Sequence, residues 1–329
     1  MRLSMTRRRA LALALGALAA PSVRAQGNGP MRIEHALGTT VLPARPERIA
    51  TVNWSNHEVP LALGVMPVGM AAANFGDDDG DGLLPWVSAR IDALGGPRPV
   101  LFDEGDGIDF EAVAGTRPDV ILAAHSGLSQ GDYDILSQIA PTVAYPHLPW
   151  TTGWRDNIRL NSAGMGMAPE GDALVARLET QIAEVAARHP ELSGKRAMFV
   201  THLDPTNLSR VPFYTDNDTR VSFLHDLGLR SPRIVEELSQ GGRFAGEVSA
   251  EQIDLLDDVD IVITYGTASL VDRLGSYVLT RRMPAIARGS VVVLRNDPLG
   301  TAAHPTPLGI RYVLEQYATL LAQAAGKAG

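Results

Sequence analysis

The chain has 329 residues, a formal net charge of −8 and no cysteine. The first 25 residues hold five arginines and no acid, so removing them takes the charge from −8 to −13. That balance excludes the basic surface nucleic-acid binding requires, and the missing thiol excludes disulfides, thiolate catalysis and cysteine-type zinc sites.

Residues 1–25 read as a signal peptide. Thr6-Arg7-Arg8-Arg9 precedes an apolar run over residues 10–20, and Val23-Arg24-Ala25 forms a small-residue exit before Gln26. The consecutive arginines resemble a twin-arginine signal, with an ordinary secretory signal as the alternative. Without a cysteine for a lipobox, the expectation is a free, soluble protein of a periplasm-like space, with no lipid anchor.

Residues 26–153 predict a first α/β lobe. A β-rich lead-in over residues 33–42 is followed by a strand at 49–53, a helix at 57–63 closed by Gly64, and a strand at 65–70. Strand C-termini face the ligand crevice of an open α/β sheet. Trp54 and Asn56 are therefore mouth candidates, with partly buried packing as the other role for Trp54. Asp77-Asp78-Asp79-Gly80-Asp81-Gly82 mimics the start of a calcium loop. The twelfth position, where a bidentate glutamate is needed, is Ser88, and the run reads as a solvated turn. A helix at 108–115 and a buried strand at 120–124 lead to Gly127-Leu128-Ser129-Gln130-Gly131, formally G-x-S-x-G. A serine hydrolase using Ser129 would need a tight strand-to-helix turn. Here the serine stands about five residues past the apolar run and polar residues follow it. A helix at 134–140 and a strand at 142–145 end in a Pro- and Trp-rich loop that makes Trp150 a binding candidate, with interface packing at the lobe border as its other role.

Residues 154–189 predict a helical connector. Leu174, Leu178, Ile182 and Val185 form one apolar stripe. Glu170 and Asp172 at its start and Arg188 at its end suit the helix dipole, and Pro190 stops it. Gly164, Gly166 and Pro169 set off residues 154–165 as a shorter helix.

Residues 190–329 predict a second α/β lobe, with strands at 197–203, 211–215, 260–264 and 289–295. Helices are expected at 221–227, at 250–256 with Ser249 as cap, and at 309–325. The fold class is thus α/β, two Rossmann-like lobes joined by a long helix with a ligand cleft between them. The eight histidines show no zinc spacing, so no direct protein metal site is indicated. His125, His202 and His304 fall at strand ends or loops.

Several segments, in order, resemble periplasmic iron–siderophore binding proteins of ABC importers. Residues 33–70 look like the family's opening. Phe110-Glu111-Ala112-Val113 with Arg117-Pro118-Asp119-Val120-Ile121, residues 133–145 (YDILSQIAPTVAY), Val248-Ser249-Ala250-Glu251-Gln252 with Asp260-Ile261-Val262, and residues 284–293 (PAIARGSVVV) resemble later motifs. The resemblance implies two lobes with little hinge motion, no enzymatic activity and no intrinsic cofactor. It implies a monomer that captures a ferric siderophore and docks on the permease through Glu111 and Glu251. The arginine and aromatic of some hydroxamate binders are absent at residues 102–106 and 125–127. The ligand-binding candidates are Trp54, His125, Trp150, Arg210, Tyr214, Phe244, Tyr265 and His304. Haem or a corrinoid is the alternative ligand, with His125 and Tyr265 as potential axial groups.

Overall fold

The computed structural model describes residues 30–328, except 202, 204–207 and 279. The signal-peptide reading and His202 lie outside the described residues.

A hairpin, β1 (Met31–His35) with β2 (Gly38–Leu42), opens the first lobe. There follow β3 (Ile49–Thr51), α1 (Glu58–Ala62), β4 (Gly69–Ala71), α2 (Pro85–Leu94), β5 (Val100–Phe102), α3 (Phe110–Gly115), β6 (Val120–Leu122), α4 (Gln130–Ile139) and β7 (Thr142–Val143). The strands form one parallel sheet in the order β5-β4-β3-β6-β7. This is the doubly wound arrangement, and the order reverses between β3 and β6, where open α/β sheets hold their ligands. β3 and β6 are buried throughout, as strands covered on both faces must be.

Two helices lead away from this sheet. α5 (Trp154–Gly164) is followed by α6 (Ala168–Arg188), the longest helix, which lies between the lobes and buries Leu174, Leu178, Ile182 and Val185. The second lobe contains β8 (Ala197–Phe199), β9 (Arg210–Tyr214), α7 (Thr219–Asp226), α8 (Arg233–Ser239) and β10 (Ala245–Ser249). It continues with β11 (Ile261–Tyr265), α9 (Ala268–Ser276), α10 (Pro284–Ala287), β12 (Val291–Leu294) and α11 (Gly309–Ala325). β12-β11-β8 form a parallel sheet and β9-β10 an antiparallel hairpin.

Three local departures from the sequence expectation have physical reasons. Pro85 is the first residue of α2, a helix absent from the sequence expectation, where its missing N–H costs nothing. Residues 245–249 form a strand, β10, absent from the sequence expectation, because its partner is β9, about thirty residues earlier. Residues Ala250–Leu256 coil as a 3-10 segment with a kink at Gln252 instead of a regular helix. The acidic run at 77–82 forms a surface turn in which Asp77 accepts hydrogen bonds from the backbone N–H of Gly80 and Gly82, both at 2.8 Å.

The lobes share one hydrophobic core. Val59, Leu61, Trp86 and Ile91 of the first lobe belong to the same buried cluster as Phe199, Ile263, Leu314 and Tyr317 of the second, with Leu178 and Ile182 of α6 between them. A buried carboxylate fastens the seam. Glu58 on α1 accepts from the Trp86 indole N–H at 2.8 Å and from the backbone N–H of Leu308 and Gly309, at 2.8 and 3.1 Å, where α11 begins. A negative group there also opposes the positive end of the helix dipole. Burial raises the pKa of this carboxyl, against the lowering effect of those hydrogen bonds.

Candidate functional site

A cleft of about 370 Å³ opens between the lobes, within the range of small-molecule sites. Most of its walls come from residues just past the C-terminal ends of parallel strands. Trp54 follows β3, Asn74 and Phe75 follow β4, His125 follows β6 and Trp150 follows β7; Tyr265 ends β11, and Thr301 and His304 follow β12. Phe244, Asp218, Thr219 and Arg220 complete the lining.

The first-lobe residues are held by unusual backbone and a polar network. Trp54 stands between Asn53 and Ser55, at φ 61° and 69°, a left-handed conformation that is strained for residues with a Cβ. Glu104 stabilises it, accepting from the backbone N–H of Asn53 at 3.0 and 3.1 Å and from its side-chain amide at 3.0 Å. Asn56 is fully buried rather than at the mouth. Its amide donates to the carbonyls of Val52 and His125, both at 2.8 Å, and its oxygen accepts from the His125 N–H and from Asn161 on α5, both at 2.9 Å. Asn56 thereby ties the loops after β3 and β6 to the connector.

Trp150 also has a positive φ, 63°, and donates its N–H to the Ser126 carbonyl. Its indole fills the space above Gly127, where a Cβ would come within 2.2 Å of Nε1. That gives one glycine of the G-x-S-x-G run a packing role. The Ser129 hydroxyl is engaged in the capping box of α4, donating to Asp132 Oδ2 at 2.7 Å and accepting from the Asp132 N–H at 3.1 Å. The catalytic reading of Ser129 is therefore corrected: this hydroxyl starts a helix.

The rings interlock edge to face. His125 lies 5.5 Å from Trp150 and 4.6 Å from His304, His304 lies 6.3 Å from Trp54, and Phe75 lies 5.4 Å from Tyr265. His125 Nδ1 is 3.1 Å from the Thr152 carbonyl and acts as donor there; His304 Nδ1 pairs with the Thr219 hydroxyl at 3.0 Å. Burial lowers the pKa of His125 to about 4 and that of His304 well below its ordinary value. For His304, the neighbouring His125 and Arg220 push the same way. Both imidazoles are neutral near pH 7.

Of the eight ligand-binding candidates, the cleft brings together Trp54, His125, Trp150, Phe244, Tyr265 and His304. Tyr214 lies one layer behind, 5.6 Å from the Phe244 ring. Arg210 is elsewhere, exposed on the β9-β10 hairpin and paired with Glu247. The arginine at the cleft is Arg220. Its guanidinium stacks 3.8 Å over the Tyr214 ring and is paired with Asp218, the N-cap of α7. Burial works against the charge on Arg220, but the hydrogen bonds and charge of Asp218 raise its pKa further above the ordinary value. Asp218, Arg220 and Phe75 were not identified from the sequence. The Asp-Thr-Arg start of α7 carried a recognisable capping signal, but its distance from the cleft did not show.

Known proteins share this architecture. The family profile described as "Periplasmic binding protein" matches residues 49–298. The crystal structure of Streptococcus pneumoniae PiaA in complex with ferrichrome is 41% identical, covers 91% of this chain and 100% of that one, and superposes with a TM-score of 0.87. The probable siderophore-binding lipoprotein YfiY of Bacillus subtilis is 27% identical over 234 residues, 71% of this chain and 67% of that protein. The Fe(3+) dicitrate-binding periplasmic protein FecB of Escherichia coli is 26% identical over 244 residues, 72% of each chain. With two α/β lobes built on parallel sheets, one long helix between them and a cleft at the strand ends, the chain belongs to the periplasmic binding protein family, extracytoplasmic carriers rather than enzymes.

Proposed function

We propose that the protein captures a ferric siderophore in the inter-lobe cleft and delivers it to an ABC-type iron importer. The observation that carries this is the lining itself. Trp54, Phe75, Trp150, Phe244 and Tyr265 offer ring faces and edges, while Asn74 and Arg220 offer a few donors. Such a surface suits an iron that arrives inside its own organic ligand. The relatives named for siderophores or ferric complexes support the same reading.

Delivery rests on Glu111 and Glu251. Glu111 is exposed in the first turn of α3, which leads into β6. Glu251 is exposed at the start of the 3-10 segment that leads into β11. One free carboxylate on each lobe gives a two-point, salt-sensitive contact for a basic permease surface.

The test is a titration of the mature protein with ferric siderophores, their iron-free forms and haemin, followed by tryptophan fluorescence. Saturable quenching by an iron-loaded siderophore alone supports the reading. Saturation by haemin alone, with a shifted visible band, replaces it with a tetrapyrrole carrier using His125 or Tyr265.

A further inference from the structure

Among the described residues, the charge at the cleft is internally cancelled. Asp218 is buried, with 1% of its side chain exposed. Its Oδ1 accepts from the Arg220 N–H at 2.7 Å and from Nε at 2.8 Å, and its Oδ2 accepts from Nη2. The guanidinium face lies on Tyr214 and, at 5.8 Å, near Phe199. Asp218 and Arg220 are the charged side chains among the described residues lining the cleft. His125 and His304, held neutral by burial, add no charge. Among the described residues, the lining therefore carries fixed dipoles and N–H donors but no net charge.

We propose that the cleft selects ferric complexes of zero net charge, of the trihydroxamate kind, and that Asp218 is the residue that excludes anionic complexes. The proposal rests on the siderophore reading above and names the ligand class within it. Three hydroxamates, each −1, balance Fe(III). Catecholate and citrate complexes, and haem with its propionates, carry net negative charge. An anionic complex must leave water for a dry aromatic cleft, and that cost needs a compensating cation. Arg220 is the cation at hand, and Asp218 already holds it. The remaining N–H groups of the guanidinium can still donate to the oxygens of a neutral complex. At an effective dielectric of about 20 and a separation of roughly 7 Å, an uncompensated guanidinium would favour each negative ligand charge by about fiftyfold.

The test uses Asp218→Asn, since asparagine keeps an N-cap oxygen for the Arg220 N–H. The readout is the ratio of affinities for two probes, neutral ferrichrome and an anionic ferric triscatecholate. Wild type is expected to prefer ferrichrome by about a hundredfold or more, from a single charge's weight upward. D218N should narrow that ratio by at least about thirtyfold, and D218N/R220Q, neutral again, should restore it. Thermal melting checks that each variant is folded. Should D218N fail to fold, R220Q serves: it leaves a net negative cleft and should shift preference from ferrichrome towards cationic ferrioxamine B. Equal wild-type affinity for the neutral and anionic probes, or a ratio unmoved by D218N and R220Q, overturns the proposal. Binding of no ferric complex by wild type overturns the siderophore reading and this proposal with it, and is told apart because no ratio can be formed.

Discussion

Removing the Glu58 carboxylate should loosen the seam between the lobes at a large cost in stability. Glu58→Ala strips the acceptor from three donors, the buried Trp86 indole N–H and Gly309 N–H and the part-buried Leu308 N–H. A buried donor left without a partner costs about 1–3 kcal/mol. Two fully buried donors and one part-buried donor, less the relief of no longer burying a carboxylate, give a loss of roughly 2–5 kcal/mol. Glu58→Gln should fall between, at about 1–3 kcal/mol. One amide oxygen can still accept from the helix start, but the NH₂ group then faces another donor. Urea denaturation of wild type, E58Q and E58A measures this directly. Because Glu58 belongs to the first lobe and Leu308 to the second, E58A should also broaden the transition. A stability loss under about 1 kcal/mol for E58A would refute the argument, since this is near the size of a single ordinary hydrogen bond.

Acid should weaken the fold through buried histidines. His57 and His125 have pKa values lowered by burial to about 4 from 6.5, so between those values the unfolded chain binds more protons. Stability is then full above about pH 6.5 and falls towards pH 4, by up to about 3 kcal/mol per group; melting temperatures that stay level from pH 7 to 4.5 would contradict this. Ser129→Ala should lower stability by about 1 kcal/mol through the lost cap, and neither it nor wild type should turn over a chromogenic ester. Glu111→Lys with Glu251→Lys should leave ligand affinity within about twofold, since both residues stand outside the cleft, yet reduce importer-dependent iron uptake at least about tenfold. Normal uptake by the double variant would remove both residues from the docking surface.

The parts legible in the sequence are those fixed by local pattern. Residues 309–325 show a helical apolar period and form α11 over the same span. The stripe on α6 is buried as its spacing requires. Trp54, His125 and Tyr265, read at strand ends, and Trp150, read in a loop, line one cleft because each parallel sheet turns its C-terminal edge towards it. What stayed hidden depends on partners far along the chain. Arg210 and Arg220 are both arginines near the second strand of the lobe. Only the fold shows that Arg210 faces Glu247 across a hairpin, while Arg220 lies against Tyr214 and Asp218. Likewise α2 was obscured because Pro85 breaks a helix in mid-run but starts one well.

The continuous core through α1, α6 and α11 has a consequence for transport kinetics. Carriers with a soft hinge announce their cargo by closing, so a transporter can ignore empty ones. In this protein Val59, Leu178 and Leu314 are packed into one body, and closing the cleft would mean shearing close-packed side chains. The empty and loaded forms should therefore offer the permease nearly the same outline. Empty carriers should occupy the importer in competition with full ones, and uptake should decline once carrier outnumbers siderophore. Efficient import then depends on how much of this protein the cell exports as well as on how tightly it binds.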